Sequence, residues 1–102
     1  MPLNSENTAS GGYDLGANYP NPFHPVTAIP VILPEEQDVI VEVYDQLGQR
    51  IRTLYEGHLE AGTHNFYWDA RTQDNVEASS GVYIYKMSAG EFHATRTMVL
   101  AK

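Results

Sequence analysis

Apolar residues recur at every second position along most of this chain. Thr27, Ile29, Val31 and Leu33 alternate with Ala28, Pro30 and Ile32, and Val39, Val41 and Val43 with Ile40, Glu42 and Tyr44. His64, Phe66 and Trp68 alternate with Asn65, Tyr67 and Asp69, and Tyr83, Tyr85 and Met87 with Val82, Ile84 and Lys86. A period of two sends successive side chains to opposite faces of a strand, so one face of each strand is set against a core. No window of helical length carries an apolar stripe at the 3.6-residue period. The stretch Ile51 to Leu54 fits either period, and Thr53 and Tyr55 favour strand.

Turn chemistry falls between these runs. DQLGQ places Gly48 where a short hairpin needs a positive φ, and Asp45 ahead of it is suited to accept the turn amides. EAGT sets Gly62 before the Phe66 strand, TQDNVEASSG is a longer polar loop with Asn75 in it, and SAGEF supplies Gly90 for a tight hairpin. The strands expected are 13–19, 26–33, 38–44, 49–55, 63–69, 81–88 and 91–100. About seven short alternating strands joined by regular turns predict an all-β, antiparallel β-sandwich. The lead MPLNSENTASGG, residues 1–12, is polar and small, and reads as a flexible linker or as residues added for expression; the sandwich is expected over 13–102.

Prolines complicate the second strand. NYPNPFHPVTAIPVILP holds five of them in residues 18–34. Proline has no N–H to give a ladder, so it belongs before a strand, at its start, at an edge or at a bulge. Pro20, Pro22 and Pro25 precede the strand and are expected to hold the chain extended as it crosses between strands. Phe23 between them is expected to plug one end of the sandwich. Pro30 predicts an edge or bulge on its donorless side, and Pro34 the end of the strand.

Composition narrows the function classes. The 102 residues suffice for one domain with its own core, and the absence of cysteine removes disulfides and thiolate zinc sites. Six basic against thirteen acidic residues give a net charge of −7, which argues against nucleic acid and against anionic membrane surfaces. The charge is uneven: three basic and twelve acidic residues in 1–80 give −9, whereas Lys86, Arg96 and Lys102 against Glu91 give +2 in 81–102. No apolar run reaches the length of a membrane span. No charged head followed by an apolar core marks a signal peptide, so a targeting signal at the amino end is expected to be absent or already removed.

Candidate chemistry is sparse. His24, His58, His64 and His93 lie far apart with no metal-ligand spacing, and read as surface or strand-filling residues. Ser79-Ser80-Gly81 lacks the strand-to-helix setting of a nucleophile elbow. Asp45 and Asp69 each follow an aromatic residue and precede a turn, but few acidic neighbours surround them, so no calcium site is expected. No catalytic residue, cofactor or metal is therefore assigned. Phe66, Trp68, Tyr83 and Tyr85 are expected in the core, with Trp68 at its centre. Tyr44, Tyr55 and Tyr67 are expected to face outward, and Tyr44 with Tyr67 are the residues available for a carbohydrate-binding platform.

Four stretches together carry a family likeness. YPNPFHPVTAIPVILP, VEVYDQLGQRIRTL, EAGTHNFYWDAR and SSGVYIYKMSAGEFHATRTMVLAK occur in the order and spacing of the carboxy-terminal sorting domains of the type IX (Por) secretion system, and over about residues 18–102 the chain resembles that family. Within these motifs stand Pro22, Phe23, Pro25, Asp45, Gly48, Trp68, Gly81 and Tyr83. Departures from the pattern are His24 for asparagine, Pro30 for a polar residue, Ala70 and Asn75 for glycines, and Thr97 for lysine. The resemblance implies an Ig-like sandwich with a non-catalytic role. It would direct an amino-terminal cargo, an enzyme or adhesin, across the outer membrane. The cargo would pass the periplasm in transit and end secreted or at the cell surface. Implied partners are the outer-membrane translocon and a sortase-like peptidase, with a strand-exchanged dimer conceivable. Arg96, Met98, Val99, Leu100 and Lys102 of the last strand are the recognition candidates. The Ig-like domain of the flagellar hook-capping protein shares the architecture and some motifs, which leaves a structural scaffold as the alternative, beside a carbohydrate-binding accessory module.

Overall fold

A computed structural model of the chain describes residues 11–102. The expected flexible lead lies outside the described residues except for Gly11 and Gly12. The described residues form seven strands: β1 Asp14–Leu15, β2 Thr27–Leu33, β3 Gln37–Tyr44, β4 Arg50–Leu59, β5 Gly62–Trp68, β6 Gly81–Ala89 and β7 Phe92–Leu100. They make two antiparallel sheets, in the orders β1-β2-β5 and β4-β3-β6-β7. The fold is the all-β, Ig-like sandwich that the alternating pattern and the resemblance lead one to expect.

The period-two residues meet between the sheets. Ile29, Val31 and Leu33 of β2 face Val39, Val41 and Val43 of β3 with Tyr85, Met87 and Met98, all at most 2% exposed. Each such side chain contributes about 1.5–3 kcal/mol of burial. Trp68 is wholly buried at one end, 5.2 Å edge-on from the Tyr83 ring and 5.7 Å from the Phe23 ring. Phe23, 2% exposed, closes that end.

β4 breaks the period. Its pairing with β3 slips between Val41 and Glu42 and again between Val43 and Tyr44, so Leu54 and Ile51 each occupy an extra position. Two bulges three residues apart turn both side chains toward the core. This is why Ile51–Leu54 looks helical and stranded at once. The loop after β5 lies over the bulged edge, where Gln73 donates its N–H to the Ile51 C=O (2.8 Å) and accepts the Thr53 N–H (2.9 Å).

Pro30 meets one of its two expected settings. It stands in the central strand of its sheet rather than at an edge, but beside it Ala17 and Asn18 bulge against Ile29 alone. The β1–β2 register places Gly16 opposite Pro30, where two residues would exchange two hydrogen bonds. One forms, from the Gly16 N–H to the Pro30 C=O at 2.9 Å. The Gly16 C=O, denied a donor by proline, accepts the Tyr85 hydroxyl from the opposite sheet at 2.7 Å. Gly16 also makes room for the proline ring, since a Cβ there would lie 2.6 Å from Pro30 Cγ. Regular pairing of β1 therefore stops after Leu15, short of the expected 13–19, and resumes as a single bridge between Tyr19 and Ala28.

Candidate functional site

The proline-rich segment is a run of bends rather than the extended crossing expected, and the peptide bonds before Pro20, Pro22 and Pro25 are cis. The Pro20 C=O is gripped from both sides, accepting the Thr27 hydroxyl (2.8 Å) and the Asn18 side-chain amide (3.3 Å). Asn18 and Thr27 are themselves buried and joined at 3.0 Å. The bend delivers Asn21 and Phe23 to the outer edge of β7. There the Val99 N–H donates to Asn21 Oδ1 (2.9 Å), the Phe23 N–H donates to the Val99 C=O (2.9 Å) and the Ala101 N–H donates to the Phe23 C=O (3.0 Å). Phe23 and Leu100 thus form a one-residue parallel bridge, and the first and last signature stretches of the sequence are a single structural unit.

The end of β7 is also fixed from its other side. Gly81, which opens β6, pairs with Leu100, and the Lys102 N–H donates to Ser80 Oγ at 3.2 Å. The Tyr83 hydroxyl donates to the Ser79 C=O at 2.6 Å; burial, and next the Asp45 charge, push its pKa above the ordinary tyrosine value. Asp45 Oδ1 accepts the N–H groups of Leu47 and Gln49, both at 2.9 Å, around Gly48 at φ 83°. The Trp68 indole N–H donates to the Arg71 C=O at 2.9 Å, which ties the 69–80 loop to the buried ring. Ala70 and Asn75 in that loop have φ of 63° and 65°, the left-handed region, at the two positions where the sorting-domain pattern that the sequence resembles has glycine.

These pieces surround a depression of about 340 Å³ bounded by His24 to Val26, the loop after β5 and residues 100–102. Buried Ala70 and Leu100 form its base, and Asp69, Arg71, Glu77 and Lys102 its rim. Glu77 is shared between Arg71 and Lys102, each 3.4 Å away, and Asp69 pairs with Arg52 at 3.3 Å. Such solvent-facing pairs contribute about 0–1 kcal/mol, so they place charge more than they hold the fold.

The five residues of the last strand fall into different settings. Met98 and Leu100 are core, at 0% and 1% exposed, and a partner that leaves the fold intact meets only the strand they position. Arg96 sits opposite Tyr85 and reaches the Leu15 C=O at 3.4 Å, closing the seam between β7 and β1. Val99 offers its backbone to Asn21 and Phe23. Lys102 stands on the rim. No sequence signal marks Arg71 and Glu77 as neighbours of Lys102, because only the folded loop brings them there.

Among the described residues, no three histidine or carboxylate side chains converge in a way that holds a metal ion. His64 contacts the Glu60 C=O and His93 contacts Ser88, each within its own neighbourhood. His58 lies between Glu36 (2.9 Å) and Asp38 (3.4 Å), whose hydrogen bonds, Asp38 first, raise its pKa above the ordinary 6.5. Tyr44, half-buried in β3, donates its hydroxyl to Glu42 and lies in the sheet opposite Tyr67, so these two do not make one platform.

The sequence model of the FlgD Ig-like domain matches residues 25–91, well over half of the chain. No curated protein matches the sequence significantly. Among solved structures, dimeric latent PorU from Porphyromonas gingivalis superposes with a TM-score of 0.70 at 17% identity, over 86% of this chain and 9% of that one. PorZ, described as an essential bacterial surface component of the type IX secretion system of Porphyromonas gingivalis, superposes with a TM-score of 0.53 at 22% identity, over 90% of this chain and 12% of that one. The chain thus spans about a tenth of either protein, and at these identities the likeness is one of fold.

Proposed function

The chain belongs to the FlgD Ig-like domain family, and we propose that it is a non-catalytic sorting domain of the type IX secretion system, carried at the carboxyl end of a secreted or surface protein. One observation carries the reading. The proline-rich motif, the Trp68-Asp69 stretch and the last strand, which resemble the sorting-domain pattern separately in sequence, build one corner of the molecule around Phe23, Val99 and Lys102. A folded surface of this kind is what a translocon would recognise in a cargo that crosses the outer membrane folded. The occurrence of the same fold in PorU and PorZ supports the reading. The partners proposed are the outer-membrane translocon and a sortase-like peptidase, and the route runs through the periplasm to the cell surface or medium.

The family match itself favours a second reading, an Ig-like scaffold that stiffens an assembly without directing export. The two are separated by fusing the whole chain behind a reporter with a signal peptide, in a host with this secretion system and in the same host with the translocon disabled. A sorting domain moves the reporter outside only in the first host. A scaffold leaves it in the periplasm of both.

A further inference from the structure

The chain has seven tyrosines, and five of them donate their hydroxyl to a protein acceptor. Tyr13 donates to Glu35, Tyr44 to Glu42, Tyr55 to the His58 C=O, Tyr83 to the Ser79 C=O and Tyr85 to the Gly16 C=O. Tyr19 and Tyr67 differ. They are the most exposed tyrosines, at 79% and 65%, and among the described residues neither hydroxyl nor ring has a protein partner. They also share one cross-strand row. Tyr19 bridges to Ala28, and Ala28 pairs with Tyr67, so all three side chains stand on the outer face of the β1-β2-β5 sheet. Two strand intervals separate the two tyrosines, about 9.5 Å at the usual spacing.

We infer that Tyr19 and Tyr67, with Ala28 between them, form a binding platform for a neutral, β-linked polysaccharide. The inference is independent of the sorting role. An exposed ring offers a flat face to the C–H side of a pyranose, and two rings about 9.5 Å apart suit alternate sugars of an extended chain. The small Ala28 side chain keeps the ground between the rings low. Thr63 and Asn65, exposed on the same face of β5, offer a hydroxyl and an amide to sugar hydroxyls. Nucleic acid, the other polymer that stacks on exposed aromatics, is repelled by a net charge of −7. A ligand without charge fits both the rings and the field.

The test is calorimetric titration of the whole chain with cellohexaose and chitohexaose, with maltohexaose, whose α-links curl it out of plane, as the comparison. At least one β-1,4-linked hexasaccharide is expected to bind saturably and more tightly than maltohexaose. Tyr19→Ala and Tyr67→Ala should each weaken that binding about tenfold or more, the scale of losing one stacked ring, without lowering the melting temperature. Tyr67→Phe should retain binding, because the ring face is the contact. Absence of saturable binding for both β-linked hexasaccharides overturns the inference. So does affinity that survives the Tyr19→Ala/Tyr67→Ala double variant. Tighter binding of a polyproline peptide to the same row also overturns it, in favour of a peptide groove.

Discussion

Phe23 donates its backbone N–H to the C=O of Val99 over 2.9 Å, so a residue from the proline-rich segment occupies the outer edge of the last strand. An unpaired edge is a template for adding foreign strands, and among the described residues this one is covered only at Val99 and Ala101. By strand alternation the backbone N–H and C=O groups of His93, Thr95 and Thr97 point the same way as those of Val99, and among the described residues they are open. A partner adding a strand to β7 would stop where Asn21 and Phe23 begin.

That arrangement predicts a local effect. Asn21→Ala removes the acceptor of the Val99 amide and leaves the Phe23 backbone bonds in place. Hydrogen exchange at the Val99 amide should accelerate by an order of magnitude or so, whereas the Ala101 amide should stay protected. Equal acceleration at both positions would mean that the segment detaches as a whole.

Tyr85 compensates for a proline. Its hydroxyl donates to the Gly16 C=O at 2.7 Å and accepts the Asn18 N–H at 2.9 Å. Tyr85→Phe leaves both backbone groups unpaired and should cost about 1–3 kcal/mol in chemical denaturation. In a Pro30→Ala background the residue 30 N–H becomes available to the Gly16 C=O. The cost of Tyr85→Phe should then shrink by about 1 kcal/mol. Identical costs in the two backgrounds would break the link between Pro30 and Tyr85.

Trp68→Ala should cost about 3–5 kcal/mol, a large part of the roughly 5–15 kcal/mol by which such domains are stable. The wholly buried ring separates Phe23 from Tyr83, and its indole holds the Arg71 C=O. The denaturation midpoint reports this directly; a midpoint near that of the unaltered chain would place the ring outside the core.

His58 adds a small pH dependence. Its pKa is raised in the folded chain by the hydrogen bonds its ring donates to Asp38 first and Glu36 next. A raised folded value means that its contribution is complete below the unfolded value near 6.5 and is lost as pH rises through the folded value. Melting temperature should therefore decline slightly over the interval just above pH 6.5, and His58→Gln should remove that decline. A decline on the acid side of 6.5 that vanishes in His58→Gln would reverse the sign.

Much of this fold is legible because most strands are half-buried and alternate strictly. Where legibility failed, local rules were overruled by tertiary bonds. The Ile51–Leu54 ambiguity is two bulges, which shift the inward face by one residue each. Pro30 suggests an edge or a bulge, and no pattern could show which, or that a tyrosine from the other sheet supplies the missing donor. The turn at Gly48 could be read from Asp45 alone, since its bonds are local. The corner around Lys102 could be read only in part. The last strand stood out as a motif, but the burial of Met98 and Leu100 and the approach of Glu77 depend on the packed sandwich and the folded loop. Tyr67 was visible as an outward tyrosine, whereas its row-mate Tyr19 lies beyond the regular part of β1 and only the register shows the pairing.

The most direct measurement of the sorting role is the fraction of a reporter exported by the whole chain, compared between the unaltered domain and an Arg71→Ala/Lys102→Ala variant. Both side chains are partly exposed on the rim and paired to Glu77, so their loss should hardly alter stability, which a melting curve verifies. Deleting residues 97–102 is less informative, because it also removes Met98 and Leu100 from the core. The account predicts that the unaltered domain exports the reporter and that the variant, equally folded, exports several-fold less. Export equal to that of the unaltered domain would contradict the assignment of this corner as the recognised surface, and no export by either protein would contradict the sorting role itself.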